Sequence, residues 1–221
     1  MLICLENILD SVRVKTIEDL LKKEELFESG KTTAGSRARR TKSNLQGRPD
    51  TPEISGVIKK VREALENNAL FRAISVPGDI GRVLINRYEP DMKYGSHYDE
   101  PFIDGLRTDL SFTLFLSDPS SYAGGELEID GASGKQAIKL PAGCAVIYPS
   151  NSLHGVLPVK KGTRLAAVGW IQSRIRSGEQ RTLLFELTNI IKRLEELKTR
   201  ELEITELKNL RNNLLRMWAD S

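Results

Sequence analysis

Between Val83 and Ile171 short apolar runs alternate with turn residues, and this regularity constrains the fold more than any other feature of the chain. Val83–Tyr88 is β-branched and aromatic, and Leu110–Leu116 is an almost continuous apolar run. Gly124-Gly125 opens Glu126–Ile129, which Asp130-Gly131 turns toward Gln136–Lys139. Pro141-Ala142-Gly143 introduces Cys144–Tyr148, and Leu165–Ile171 closes the set. Gly124, Gly125 and Gly143 read as turn glycines. About eight strands so spaced suit a two-sheet sandwich or a jelly roll.

The flanks are helical. Asp10 or Ser11 caps a helix carrying Ile17, Leu20, Leu21 and Leu26, expected to run to Gly30. Thr51-Pro52 starts a second, whose stripe is Ile54, Val57, Ile58, Val61 and Leu65, ending at Asn67-Asn68. Between them, residues 31–50 form a polar, basic, glycine-punctuated stretch expected to be a loop, with 31–46 a candidate lid over a site. Pro77-Gly78-Asp79 reads as a turn. After residue 177, Leu183, Leu187, Ile190, Ile191, Leu194 and Leu197 recur at helical spacing, as do Ile204, Leu207, Leu210, Leu214 and Met217. A packed helix pair is expected. Pairing of two copies through these helices is the weaker reading, since fewer than about three clean heptads are present.

Both of the two histidines lie in the strand region. His97 and Asp99 are two apart, so on extended backbone they leave the same face. His154 would complete two imidazoles and one carboxylate, a set that holds Fe(II) while leaving open positions. Zinc accepts similar ligands, so the triad by itself does not select iron. Arg164 shares a strand face with Ala166, Val168 and Trp170, and a fixed guanidinium there could grip the far carboxylate of a dicarboxylic co-substrate. Tyr88 could reach that carboxylate or be a core tyrosine. Thr113, on one face with Ser111 and Phe115, offers a hydroxyl near Arg164. Arg107 and Asp109 read as a structural pair.

The segments Asn86-Arg87-Tyr88, His97-Tyr98-Asp99, Arg107–Ser111, Tyr122–Leu127, Lys139–Gly143, Tyr148–His154 and Trp170–Ser173 resemble the bacterial PKHD-type hydroxylases, prolyl-hydroxylase-like Fe(II)/2-oxoglutarate dioxygenases. One departure is Cys144, where that family's pattern has aspartate. The resemblance implies an α+β fold with a double-stranded β-helix (jelly-roll) core, N-terminal supporting helices and a C-terminal helical subdomain. It implies three parts: a support region 1–77 containing the basic loop 31–50, a dioxygenase domain 78–176, and helices 177–221. It also implies Fe(2+) held by His97, Asp99 and His154, and 2-oxoglutarate held by Arg164, with Tyr88 and Thr113 as further candidates. L-ascorbate as a reductant and O2 as co-substrate follow from the same resemblance. The reaction implied is oxidative decarboxylation of 2-oxoglutarate to succinate and CO2, coupled to hydroxylation of a protein side chain or a small molecule.

Composition narrows the alternatives. A hydrophobic fraction of 39% and a charged fraction of 29% suit a soluble protein with a real core. The net charge of +3 is too small to imply nucleic-acid binding. Cys4 and Cys144 are too few for a disulfide framework, which fits a reducing cytoplasm. The start lacks a basic segment and reaches Glu6 early, and no apolar run is long enough to span a membrane. Two other readings are a non-redox, cupin-like metal protein and a binding module using Lys31, Arg37, Arg39, Arg40 and Lys42. Succinate production would separate the first, and steep salt dependence without metal the second.

Overall fold

A computed structural model of the chain describes residues 2–31, 41–131, 134–198 and 200–220. Two antiparallel sheets form its centre. The larger has seven strands in the order Ile3–Leu5, Ala145–Pro149, Leu110–Phe115, Arg164–Ser173, Pro77–Tyr88, Leu45–Gly47, Phe27–Ser29. The smaller has five: Gly134–Ile138, Leu127–Gly131, His154–Val156, Lys93–His97, Lys42–Ser43. Apart from the hairpin Leu127–Gly131/Gly134–Ile138, most strands adjacent in space are far apart in sequence, which is the jelly-roll pattern.

Strand alternation divides the larger sheet into two chemistries. Val83, Ile85, Phe112, Leu114, Leu165, Ala167 and Ile171 form one buried cluster with the supporting helices. Helix α1 (Ser11–Leu20) is capped by Asp10, whose carboxylate accepts from the Arg13 N–H at 2.8 Å. Helix α2 (Pro52–Asn67) contributes Ile54, Val57, Val61 and Leu65, each at most 1% exposed. The opposite face carries Tyr88, Ser111, Thr113, Phe115, Arg164 and Trp170 toward the space between the sheets.

Asn68 ends α2 and accepts from the Phe71 N–H, so it also caps a short helix α3 (Ala69–Ser75) absent from the sequence reading. The helices α4 (Gly178–Glu196) and α5 (Glu201–Trp218) pack as a pair, with Lys208 and Glu195 joined at 2.6 Å. The Asp220 carboxylate meets Arg107 and Arg176, tying the end of the chain to the β-core. No described helix is long and apolar enough to cross a membrane.

Three expectations are corrected. The first helix stops at Leu20 rather than Gly30, because Phe27–Ser29 leaves it to pair with Leu45–Gly47. In the stretch 31–50, residues 32–40 lie outside the described residues, so the lid reading of 31–46 falls largely there. Lys42–Ser43 and Leu45–Gly47 within it are strands, not loop, pairing with Tyr94-Lys93 and with Arg87-Asn86. Pro77-Gly78-Asp79 begins the twelve-residue strand Pro77–Tyr88 rather than forming a turn. In each case distant ladder partners override local turn or helix chemistry.

Candidate active site

His97 and His154 sit directly opposite one another on adjacent antiparallel strands, ring centroids 4.4 Å apart. Gly155 permits this approach, since a Cβ there would lie 2.8 Å from the Tyr94 carbonyl oxygen. Asp99 follows just beyond the strand end and closes a triangle. Its carboxylate lies 3.9 Å from His97 Nε2 and 3.8 Å from His154 Nε2. One ligand atom from each of the three lies within 4.8 Å of the others.

Both imidazoles are oriented the same way. His97 Nδ1 is 2.9 Å from the Gly95 carbonyl oxygen, and His154 Nδ1 is 3.0 Å from that of Ser152. Each carbonyl accepts a hydrogen bond from Nδ1–H, leaving the Nε2 lone pair aimed at the centre of the triangle. Burial and the neighbouring His154 push the His97 pKa down to about 4, so its ring is neutral near pH 7. Ser111 donates to Asp99 at 2.5 Å and also meets Ser150 at 2.8 Å, which fixes the carboxylate from behind. Pre-aimed donors of this kind are what a divalent metal requires.

Arg164 is 1% exposed, yet Nε, Nη1 and Nη2 have no hydrogen-bond partner. Its guanidinium lies between the rings of Tyr88 and Phe115, at 5.2 and 5.4 Å. No carboxylate among the described residues pairs with it. An orphaned buried cation is costly unless an anion meets it. Gly125, at φ +67°, keeps space beside it, since a Cβ there would come within 3.1 Å of Arg164 Cδ.

His97, Asp99, His154 and Arg164 line one cavity of about 740 Å³, with Tyr88, Thr113 and Trp170 in its wall. Tyr88 is opposite Arg164 in the ladder, its phenol pushed up to about 12 by burial and therefore a neutral donor. Thr113 is 1% exposed and its hydroxyl is near the Tyr148 phenol. Arg107 and Asp109 pair at 2.9 Å, as expected of a structural bridge. Sequence reasoning missed three cavity residues. Tyr148 packs edge-on to His154 at 5.0 Å, Tyr94 stacks on His97 at 3.8 Å, and Lys42 lies over Tyr94 at 5.2 Å. Tyr148 is hidden in an apolar strand, and Lys42 reads only as part of a basic run offered as a separate binding module.

The Ser111 contact leads to a testable outcome. Removing a residue that orients a metal ligand typically costs about 10–100-fold in metal affinity. Ser111→Ala should weaken Mn(II) binding by that order, read by titration of the free-ion magnetic resonance signal, with the melting curve nearly unchanged. Unaltered affinity would reduce Ser111 to a packing residue.

Residues 83–172 match the 2OG-Fe(II) oxygenase superfamily, and residues 179–220 match the PKHD-type hydroxylase C-terminal domain. A PKHD-type hydroxylase of Picosynechococcus sp. is 45% identical over 194 residues, 88% of this chain and 89% of that protein. One of Maricaulis maris is 44% identical over the full length of both. Among solved structures, a Pseudomonas putida prolyl-4-hydroxylase has a TM-score of 0.56 at 23% identity, covering 78% of this chain and 92% of that one. A Trichoplax adhaerens prolyl hydroxylase in complex with a peptide fragment reaches 0.61 at 15% identity, covering 77% and 82%. These two likenesses carry the jelly-roll fold. End-to-end identity at this level, with a superfamily match over the strands that bear the triad, establishes that the chain belongs to the PKHD-type hydroxylases, a family of 2-oxoglutarate-dependent Fe(II) dioxygenases.

Proposed function

We propose that the protein couples oxidative decarboxylation of 2-oxoglutarate to succinate and CO2 with hydroxylation of a C–H bond in a primary substrate. One observation carries the reading: a two-histidine, one-carboxylate triangle shares a cavity with an unpaired buried arginine. The donor set suits Fe(2+), and the orphaned guanidinium suits the far carboxylate of 2-oxoglutarate. When bound, iron and 2-oxoglutarate together supply the dioxygen chemistry that consumes 2-oxoglutarate and O2 and places one oxygen atom on the substrate.

The residues of the chain prepare that chemistry. His97, Asp99 and His154 would hold the metal, each offering one donor atom toward the cavity they line. Arg164 offers a forked, charge-assisted grip, and Tyr88 and Thr113 add neutral hydrogen-bond donors close by. Phe115 and Tyr88 keep water off the guanidinium, which strengthens its pairing with an anion. L-ascorbate is assigned by family resemblance as the external reductant, and a cytoplasmic setting by the scarcity of cysteine. Anaerobic addition of Fe(II) and 2-oxoglutarate, followed by O2, should yield succinate. Metal binding without succinate would favour a non-redox cupin-like protein instead.

We assign residues 1–77 to support, 78–176 to catalysis and 177–221 to a helical subdomain in which Leu184, Ile191 and Ile204 are buried. Ending the chain near Ser177 should expose apolar surface and bind a hydrophobic dye. Burial of each such side chain contributes about 1.5–3 kcal/mol, so the truncated chain should also melt earlier. Light scattering on both forms reads whether these helices join two copies. Unchanged melting and unchanged particle mass would sink the assignment.

A further inference from the structure

The cavity holds a second buried cation, and the proposed reaction does not use it. Lys42 is 7% exposed, on the short strand Lys42–Ser43 that pairs with Tyr94-Lys93. It lines the same cavity as His97, Asp99 and His154, with its amine 5.2 Å from the Tyr94 ring centroid. Burial pulls its pKa down to about 8, so the ammonium is desolvated.

No carboxylate among the described residues pairs with Lys42. The adjoining segment 32–40 cannot supply one, since it contains neither aspartate nor glutamate. The other charges lining the cavity have functions of their own. Asp99 faces the two histidines, Arg164 is reserved for the co-substrate, and Arg82 bonds Asp104 at 2.8 Å. Glu100 is exposed to solvent. With a divalent metal against Asp99 and a dianionic co-substrate against Arg164, the deep site is electrically balanced, and among the described residues buried in this wall Lys42 is left as one positive charge. The Tyr94 ring attracts an ammonium but does not neutralise it.

We infer that Lys42 recognises an anionic group on the primary substrate, and that this group is a carboxylate. A single ammonium balances a single negative charge. A phosphate dianion would leave one charge unmatched close to Asp99. Asn86, also buried and lining the cavity, accepts a hydrogen bond from Asn44 at 2.9 Å and gives this wall a polar character suited to such a group. The inference rests on the functional reading above and adds the substrate class to it.

The experiment uses full-length protein loaded anaerobically with Mn(II) and 2-oxoglutarate. The probes are N-acetyl amino acids and their matching primary amides, and the reading is Mn(II)-induced relaxation of the acetyl methyl protons. Acids should be relaxed at concentrations about tenfold lower than their amides, the scale of one charge-assisted contact. Lys42→Met keeps the apolar stem over Tyr94 and should erase that preference. Lys42→Arg should restore most of it, and 2-oxoglutarate affinity should stay within about twofold. Equal relaxation by acids and amides in the unaltered protein overturns the inference, as does a preference that survives in Lys42→Met. So does a tenfold loss of 2-oxoglutarate affinity in Lys42→Met, which would make Lys42 a co-substrate residue. If the unaltered protein binds neither Mn(II) nor 2-oxoglutarate, the functional reading fails first and this inference falls with it.

Discussion

A His154→Ala chain should turn over no 2-oxoglutarate above background while keeping its fold. His154 supplies one of three donors, and its Nε2 is aimed at the centre by the Ser152 carbonyl. Loss of a mere orienting contact costs about 10–100-fold in metal affinity, so loss of a ligand itself should cost more, on the order of 10²-fold or beyond. The fold should tolerate the change. His154 borders the cavity, its neighbours being His97 and Tyr148, and the removed ring leaves space that water can enter. Thermal stability measured with chelator present should therefore fall by about 1 kcal/mol or less. Succinate production at the unaltered rate would remove His154 from the site, and collapse of the fold would make it a structural residue. Its partner His97, already neutral through burial, should show the same loss on substitution.

Arg164 should behave in the opposite way with respect to stability, and that contrast is the sharper test. In the protein without co-substrate its three guanidinium nitrogens are buried and unpaired. Replacing it with methionine removes an uncompensated charge from an apolar sandwich of Tyr88 and Phe115. The metal-free Arg164→Met chain should thus be more stable than the natural one, by about 1–4 kcal/mol. A structural arginine would give the reverse sign. With 2-oxoglutarate present at about 100 times its dissociation constant, the natural chain should gain about 2.7 kcal/mol and the variant nothing. Arg164→Lys keeps the charge but loses the fork. A charge-assisted contact contributes about 1.5–3 kcal/mol, so 2-oxoglutarate KM should rise about tenfold or more. Mn(II) binding should hardly change, because Arg164 touches none of the three metal-facing side chains. Unchanged 2-oxoglutarate affinity in Arg164→Ala would remove the co-substrate assignment and leave the metal site standing.

The parts of the site legible in the sequence are those whose chemistry is scarce or whose geometry is local. Two histidines in the whole chain, one of them two residues from an aspartate on extended backbone, leave few ways to build a metal site. Alternation along Arg164–Ile171 placed Arg164 and Trp170 on one face before any strand partner was known, and both line the cavity. The contacts that the sequence does not reveal act across elements. Tyr148 meets His154 from a neighbouring sheet, and Ser111 reaches Asp99 from twelve positions away.

What the sequence alone determined is therefore the apolar strands of the core, the ligand types, the α2 stripe and the helical end of the chain, since periodicity and residue chemistry are carried by near neighbours. What only the tertiary structure decided is which polar segments become strands and which buried charges stay unpaired. Lys42–Ser43 and Leu45–Gly47 have no period that separates them from loop, and they extend only because Lys93-Tyr94 and Asn86-Arg87 offer them free backbone groups. The unpaired state of Arg164 likewise depends on Phe115 and Tyr88 closing over it and on no acidic side chain arriving from any other described strand. Such a fact belongs to the packing of distant segments, where backbone satisfaction and charge burial are settled together.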